Sequence, residues 1–145
     1  MSQPATPLFA TMQLPVHYDY LAPDGSEIRE LLRGRGTNMA HCVLPPSGVS
    51  LATTHRTVEE IWYCLSGHGQ IWRKLGEVEQ LTDIQPGTSL SIPTGTHFQF
   101  RNTGREPLCI VIACTPPWPG AHESVMISGP WAASSAWDGG DENTA

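Results

Sequence analysis

Positive charge is scarce in this sequence. The 145 residues carry 8 Lys and Arg against 14 Asp and Glu, for a formal net charge of −6, and charged residues make up only 15%. A chain this poor in cations has no electrostatic footprint for nucleic acid or for an anionic membrane surface. Long apolar runs are missing as well. Nothing approaches the roughly 20 residues that a bilayer span needs, and no basic segment precedes an apolar one near the start, so neither a span nor a leader is expected. The four cysteines, Cys42, Cys64, Cys109 and Cys114, lack the close pairing of a zinc site. They sit in apolar runs and read as buried free thiols, with the reducing cytoplasm as the expected location. Long helical patterns are absent too, because 14 Gly and 13 Pro divide the chain into short pieces.

What remains is a hydrophobic fraction of 39%, enough for the modest core of one domain. Residues 1–23 are Pro-rich and patternless, with Pro4, Pro7 and Pro15 breaking any helix. They read as an arm lying on the body or on a partner subunit. The stretch Ser26 to Arg33 is the one helix-like segment, one or two turns long, opening on a possible Ser cap and ending at Gly34. From Thr37 onward the pattern is that of strands: 38–44, 49–54, 61–65, 68–75 pairing back on its predecessor, 89–93, 98–102 and 108–115, each bounded by Gly or Pro. Short strands at this spacing imply an all-β sandwich or barrel, whose strands must close on one another to hide their edges. Thr115-Pro-Pro-Trp118-Pro-Gly120 cannot continue a sheet, since its prolines lack N–H groups. It reads as a stiff C-terminal flap carrying a Trp, folded over an opening of the barrel or against a second subunit, with 124–127 returning beyond it as an edge strand. The expected organisation is an arm and short helix over 1–36, a barrel over 37–128 and a tail over 129–145 whose end, from Gly139, is frayed.

Two segments carry the chemistry. The first is Thr53-Thr-His55-Arg-Thr-Val-Glu-Glu60-Ile-Trp-Tyr-Cys-Leu-Ser-Gly67 and the second is Gly87-Thr-Ser-Leu-Ser-Ile-Pro93-Thr-Gly95-Thr-His97-Phe-Gln-Phe-Arg-Asn102. Together they resemble the two signature motifs of the cupin superfamily. The first family motif runs His-x-His, three or four residues, Glu and six residues to Gly; the second runs Gly, five residues, Pro-x-Gly, a short gap, His and a few residues to Asn. His55, Glu60, Gly67, Gly87, Pro93, Gly95 and Asn102 stand in the matching places. The resemblance implies a cupin-type double-stranded β-helix (jelly-roll) barrel. It also implies a metal held inside that barrel by imidazoles and one carboxylate, a donor set that suits Fe, Mn, Ni, Zn or Cu and leaves positions open for substrate.

Two departures stand out. Thr53 occupies the place of a first ligand His, and His97 follows Gly95 by two residues where many members have three. Two registers are therefore open for this strand. In one the turn is a residue shorter, so that His97 and Gln99 face the cavity; in the other Phe98 and Phe100 face inward and His97 moves to the rim, because a one-residue slip exchanges the faces. The first is favoured, since it leaves no Phe in the ligand slot. Alternation puts Thr53 with His55 on one face, and Glu60 with Trp62 and Cys64 on another. Glu59 competes with Glu60, and the count back from Gly67 selects Glu60. His41 could replace the missing ligand, Trp62 or Trp72 could wall a pocket, and Arg73 or Arg101 could meet an anionic substrate, although solvated or core roles are the simpler expectations for all of these.

The resemblance thus implies a metal-dependent enzyme acting on a small organic molecule, by dioxygenase, isomerase or lyase/cyclase-like chemistry. His55, Glu60 and His97 would hold the divalent ion; Glu60, Trp62 and Gln99 would serve catalysis. The alternative is a non-catalytic small-molecule-binding barrel, metal-free or with a structural metal, which the Thr53 replacement makes credible. A homodimer is expected, with no nucleic-acid or membrane partner. Fold alone does not choose between these functions.

Overall fold

The computed structural model describes residues 8–22 and 24–134. Two antiparallel sheets face each other. The first has the strand order β1-β2-β3-β10-β5-β8, built from Tyr20–Leu21, Glu27–Arg33, Asn38–Leu44, Leu108–Thr115, Glu59–Ser66 and Ser89–Ile92. The second has the order β11-β4-β9-β6-β7, built from Ser124–Met126, Thr53–His55, His97–Asn102, Gly69–Leu75 and Val78–Ile84. A 3₁₀ turn at Ala121–Glu123 precedes β11. Among the described residues no helix is long and apolar enough to cross a membrane.

Alternation decides the core. Along β10, Leu108, Ile110, Ile112 and Cys114 are buried while the residues between them are not, and β5 contributes Trp62 and Cys64 in the same way. Between the sheets they meet Ile71, Phe98 and Phe100 from the second sheet, all nearly inaccessible. Trp62 makes edge-on contacts with Phe98 and Phe100, ring centres 6.0 and 4.9 Å apart, the geometry aromatic quadrupoles favour.

Three expectations need correction, and one strand was not anticipated. The segment after Ser26 is the strand β2, not a helix. An isolated helix of eight residues is marginal in water, whereas Glu27–Arg33 hydrogen-bonds along β3 and buries Ile28. Ser26 caps a turn instead: its N–H and Oγ both donate to the Asp24 carboxylate, at 3.0 and 2.6 Å. β6 does not pair back on β5 but crosses to the other sheet, between β9 and β7. β7 escaped the reading because an edge strand with a mostly exposed, polar sequence shows no apolar alternation. Finally, only Thr53–His55 of the 49–54 segment is strand, Val49 making a single bridge to Arg101.

The flanking segments are anchored. Arg29 donates to the carbonyls of Pro15 and Val16 at 2.9 and 2.8 Å. At the other end, the Gln99 amide joins Trp131, donating to its carbonyl at 2.8 Å and accepting from its N–H at 3.1 Å, while Arg101 stacks over the Trp131 ring at 4.2 Å. The expectations for residues 1–7 and for the chain end, 135–145, lie outside the described residues.

Candidate functional site

A cavity of about 60 Å³ opens between the sheets, room for on the order of five water-sized positions. Its floor comes from β4 and β5. Thr53 and His55 share the inner face of β4, and Glu60 and Trp62 that of β5, with Glu59 exposed on the outside. His55 Nδ1 lies 3.6 Å from Glu60 Oε2, and both side chains are more than nine-tenths buried. Glu60 Oε1 accepts a hydrogen bond from the Trp62 indole at 2.8 Å, and Oε2 sits 3.6 Å from the Cys114 thiol. His55 Nδ1 itself makes no hydrogen bond. Its ring packs edge-on against Phe98 and Trp118, centres 5.2 and 4.9 Å away.

Trp118 closes one wall. Its N–H donates to Asn38 Oδ1 at 2.7 Å, and its carbonyl accepts from Arg33 at 3.2 Å. Glu123 fixes the loop between His55 and Glu60. Its buried carboxylate accepts from the N–H groups of Thr57 and Val58 at 2.6 and 2.8 Å and from the Thr57 hydroxyl at 2.7 Å. Burial raises the carboxyl's pKa, but those bonds and the nearby His55 outweigh it and leave it below the ordinary glutamate range.

His97 and Gln99 do not reach the cavity. In the β4–β9 pairing, Thr53 stands opposite Phe98 and Thr54 opposite His97, so Phe98 shares the inner face and His97 the outer. Hydrophobic burial sets this register. The alternative would expel Phe98 and Phe100 from the core, each worth roughly 1.5–3 kcal/mol when buried, to bring in an imidazole and an amide. Gln99 is buried on the outer face, bound to Ser50 and Trp131. His41 pairs with Arg29 on the outer face of the first sheet; burial, then the neighbouring guanidinium, pushes its pKa down. Trp72 is on the outer face of β6, opposite Gln99, its indole on Glu79. Arg73 is engaged by the Ser91 carbonyl, Gln80 and Thr82, and Arg101 by Gln70 and Trp131.

Of the five residues singled out for the site, the structure therefore brings together three: His55, Glu60 and Trp62. It adds others. Asp24 and Ser26 reach the cavity from the turn before β2, Asn38 from β3, Cys114 from β10 and Ser124 from β11. Cys114 was accessible by counting i+2 steps from Ile110; Asp24 was hidden inside a segment read as arm and helix cap.

These residues do not fit a divalent ion. Among the described residues no three His, Cys, Asp or Glu come together in a metal-holding group. Open catalytic sites use about three protein donors. Here one imidazole, His55, faces the cavity with two carboxyls, Glu60 and Asp24, and the three are not gathered around one point, with Thr53 in place of a donor and His97 outside. Cys114 adds no thiolate, because burial and the Glu60 charge push its thiol strongly up.

Comparison with known proteins bears on the fold and the lineage. A family model described as "Cupin domain" matches residues 40–114, more than half of the chain. An uncharacterized protein of Methanocaldococcus jannaschii is 33% identical over 113 residues, spanning 74% of this chain and 86% of its own length. Among solved structures, ectoine synthase from P. lautus aligns with a TM-score of 0.64 at 20% identity, over 90% of this chain and 98% of that one. The oxalate decarboxylase of Lactobacillus farciminis, in a formate complex, aligns with a TM-score of 0.64 at 16% identity, over 76% of this chain and 33% of that one. At such identities the structural likenesses speak for the double-stranded β-helix fold alone.

Proposed function

The chain belongs to the cupin family, and we propose that it is a small-molecule-binding barrel that keeps no resident divalent metal. One observation carries this. The ligand end of the barrel retains an apolar, aromatic-walled cavity with a few convergent polar groups, as binding sites do, while among the described residues His55 is its one inward imidazole and is not gathered with Glu60 and Asp24 into a metal-holding group. Trp118, held by Asn38 and packed on His55, serves as the cover of that cavity. Elemental analysis of protein purified without chelator or affinity tag tests the proposal. The expected result is well under one equivalent of Fe, Mn, Ni, Zn or Cu; close to one equivalent, lost in His55→Ala, would overturn it.

A second reading is a metal-dependent enzyme of the oxygenase, isomerase or lyase class. It is favoured by the His55 Nδ1 atom, buried beside Glu60 with no hydrogen-bond partner, and by the presence of enzymes such as oxalate decarboxylase and ectoine synthase among the structural neighbours.

The proposal extends to a homodimer. On the outer face of the first sheet Ile61, Tyr63 and Leu65 of β5 are 57%, 48% and 47% exposed, and Met39 of β3 is 42% exposed. Leu8 and Phe9 of the arm are more than four-fifths exposed. Apolar surface of this kind on a soluble barrel supports a partner of the same chain.

A further inference from the structure

The cavity's charge is one-sided. Its ionisable carboxyl groups, Asp24 and Glu60, are joined by a single imidazole, and no Lys or Arg lines it among the described residues. Arg33 stays outside, on the Trp118 carbonyl. The walls around these carboxyls are the rings of Tyr20, Trp62, Phe98 and Trp118. We infer that the ligand of this cavity is a small organic monocation of the ammonium or guanidinium kind, seated against the aromatic walls with its N–H groups on Asp24 and Glu60. This inference rests on the small-molecule-binding reading and gives that ligand its chemical class.

Three independent features converge on it. The first is hydrogen-bond supply: Glu60 Oε1 receives one donor from Trp62, and Oε2 has only the weak Cys114 thiol at 3.6 Å and His55 at the same distance. A carboxylate oxygen so poorly served in a buried place calls for a strong donor. The second is His55, nine-tenths buried and lining the same space, whose Nδ1 makes no hydrogen bond and, in the tautomer protonated at Nε2, is an acceptor that a ligand N–H can satisfy. The third is the ring lining, since cations gain by lying on aromatic faces, most of all where water is excluded. The interior field agrees. Burial, with the Glu60 charge adding to it, raises the Asp24 carboxyl's pKa against the opposing Ser26 bonds. Burial and the Asp24 charge likewise raise the Cys42 thiol's. A cation between the carboxyls relieves that field.

Guanidinium, urea and acetate are planar, have four heavy atoms each and differ in charge, so together they isolate the inference from cavity size. Each is titrated at low millimolar concentration and fixed ionic strength into the full chain, reading the Trp62 and Trp118 indole N–H resonances. The expected result is saturable shifts with guanidinium alone, weakened at least ten-fold by Glu60→Gln and by Asp24→Asn and unchanged in Glu79→Gln, which alters a carboxylate on the outer face. Urea or acetate binding as tightly as guanidinium would overturn the cation assignment and leave the binding reading standing. If none of the three moves either indole, both fall. The wild-type charge series decides the question even if a variant fails to fold.

Discussion

Glu123 is one carboxylate holding three donors, and removing it tests how the loop over residues 56–58 keeps His55 and Glu60 in place. The residue is 1% exposed and Val58 is fully buried, so neither can turn to water, whereas Thr57 is exposed. Hydrogen bonds to a charged group contribute about 1.5–3 kcal/mol each, and a buried donor left unpaired costs about 1–3 kcal/mol. Glu123→Ala leaves the N–H groups of Thr57 and Val58 without their acceptor, and is expected to cost about 3 kcal/mol, since only the Val58 donor is cut off from water. Glu123→Gln keeps one carbonyl acceptor and loses the charge, for about 2 kcal/mol. The pH dependence has a definite sign. The folded pKa lies below the unfolded one, because the bonds from Thr57 and Val58 and the proximity of His55 outweigh desolvation. The contribution is therefore fully present above the unfolded value of about 4.3 and is lost as pH falls through the folded value. Urea midpoints followed by Trp fluorescence at pH 7 and at several points below pH 4.3 give both quantities. The gap between wild type and Glu123→Gln should be widest at neutral pH and close in acid. A gap that is negligible at pH 7, or that persists unchanged through the acid range, would refute the assignment of Glu123 as an ionised clamp.

Three further outcomes are expected. Thr53→His places a third donor on the inner face beside His55 and Glu60, and should tighten zinc binding at least ten-fold in competition with a chromophoric chelator; unchanged affinity would mean that donor number is not what limits the site. Trp118→Ala removes a partly buried ring packed on His55 and should cost about 2 kcal/mol, below the 3–5 of a fully buried Trp, as read from denaturant midpoints; a negligible shift would mean that the ring adds nothing to the barrel. Ile61→Lys with Tyr63→Lys should shift the mass measured by light scattering from a dimer to the 15.8 kDa of a single chain; a single-chain mass for the wild type would remove the dimer proposal.

Much of the fold was legible because local chemistry and global architecture agree. Pro45-Pro46, Gly67, Gly76, Gly87 and Gly95 punctuate the chain where strands end, and the alternation of β10 identifies its buried face residue by residue. The failures have two physical origins. Edge strands such as β7 expose both faces, so their sequences carry no period-two signal. β2 buries Ile28 but leaves most of its remaining residues partly accessible, and its acidic and basic residues suit a helix surface as well as an edge. The site failed at one step, the register of β9. The turn closes with the Thr96 N–H on the Pro93 carbonyl and Gly95 at φ 84°, and the strand begins at His97 without an intervening residue. Counting from a motif could not settle which face followed. Two phenylalanines competing with an imidazole and an amide for the interior did.

The motif residues answer two separate demands. Gly67 has φ 88°, and a Cβ there would meet the Pro107 carbonyl and come within 2.8 Å of Leu108 Cα. Asn102 donates to the carbonyls of Leu44 and Glu106, at 3.0 and 2.8 Å, and accepts from the Gly104 N–H at 2.8 Å, closing the loop after β9. Neither residue touches the cavity, and neither depends on what occupies it. His55 and Glu60 answer the other demand, and their surroundings have changed: a threonine stands two residues before the histidine, and a phenylalanine fills the face that an imidazole would need. A sequence can therefore keep every residue that shapes the barrel while altering the donors inside it. Family membership predicts the first set, and the chemistry has to be argued from the side chains that face the cavity.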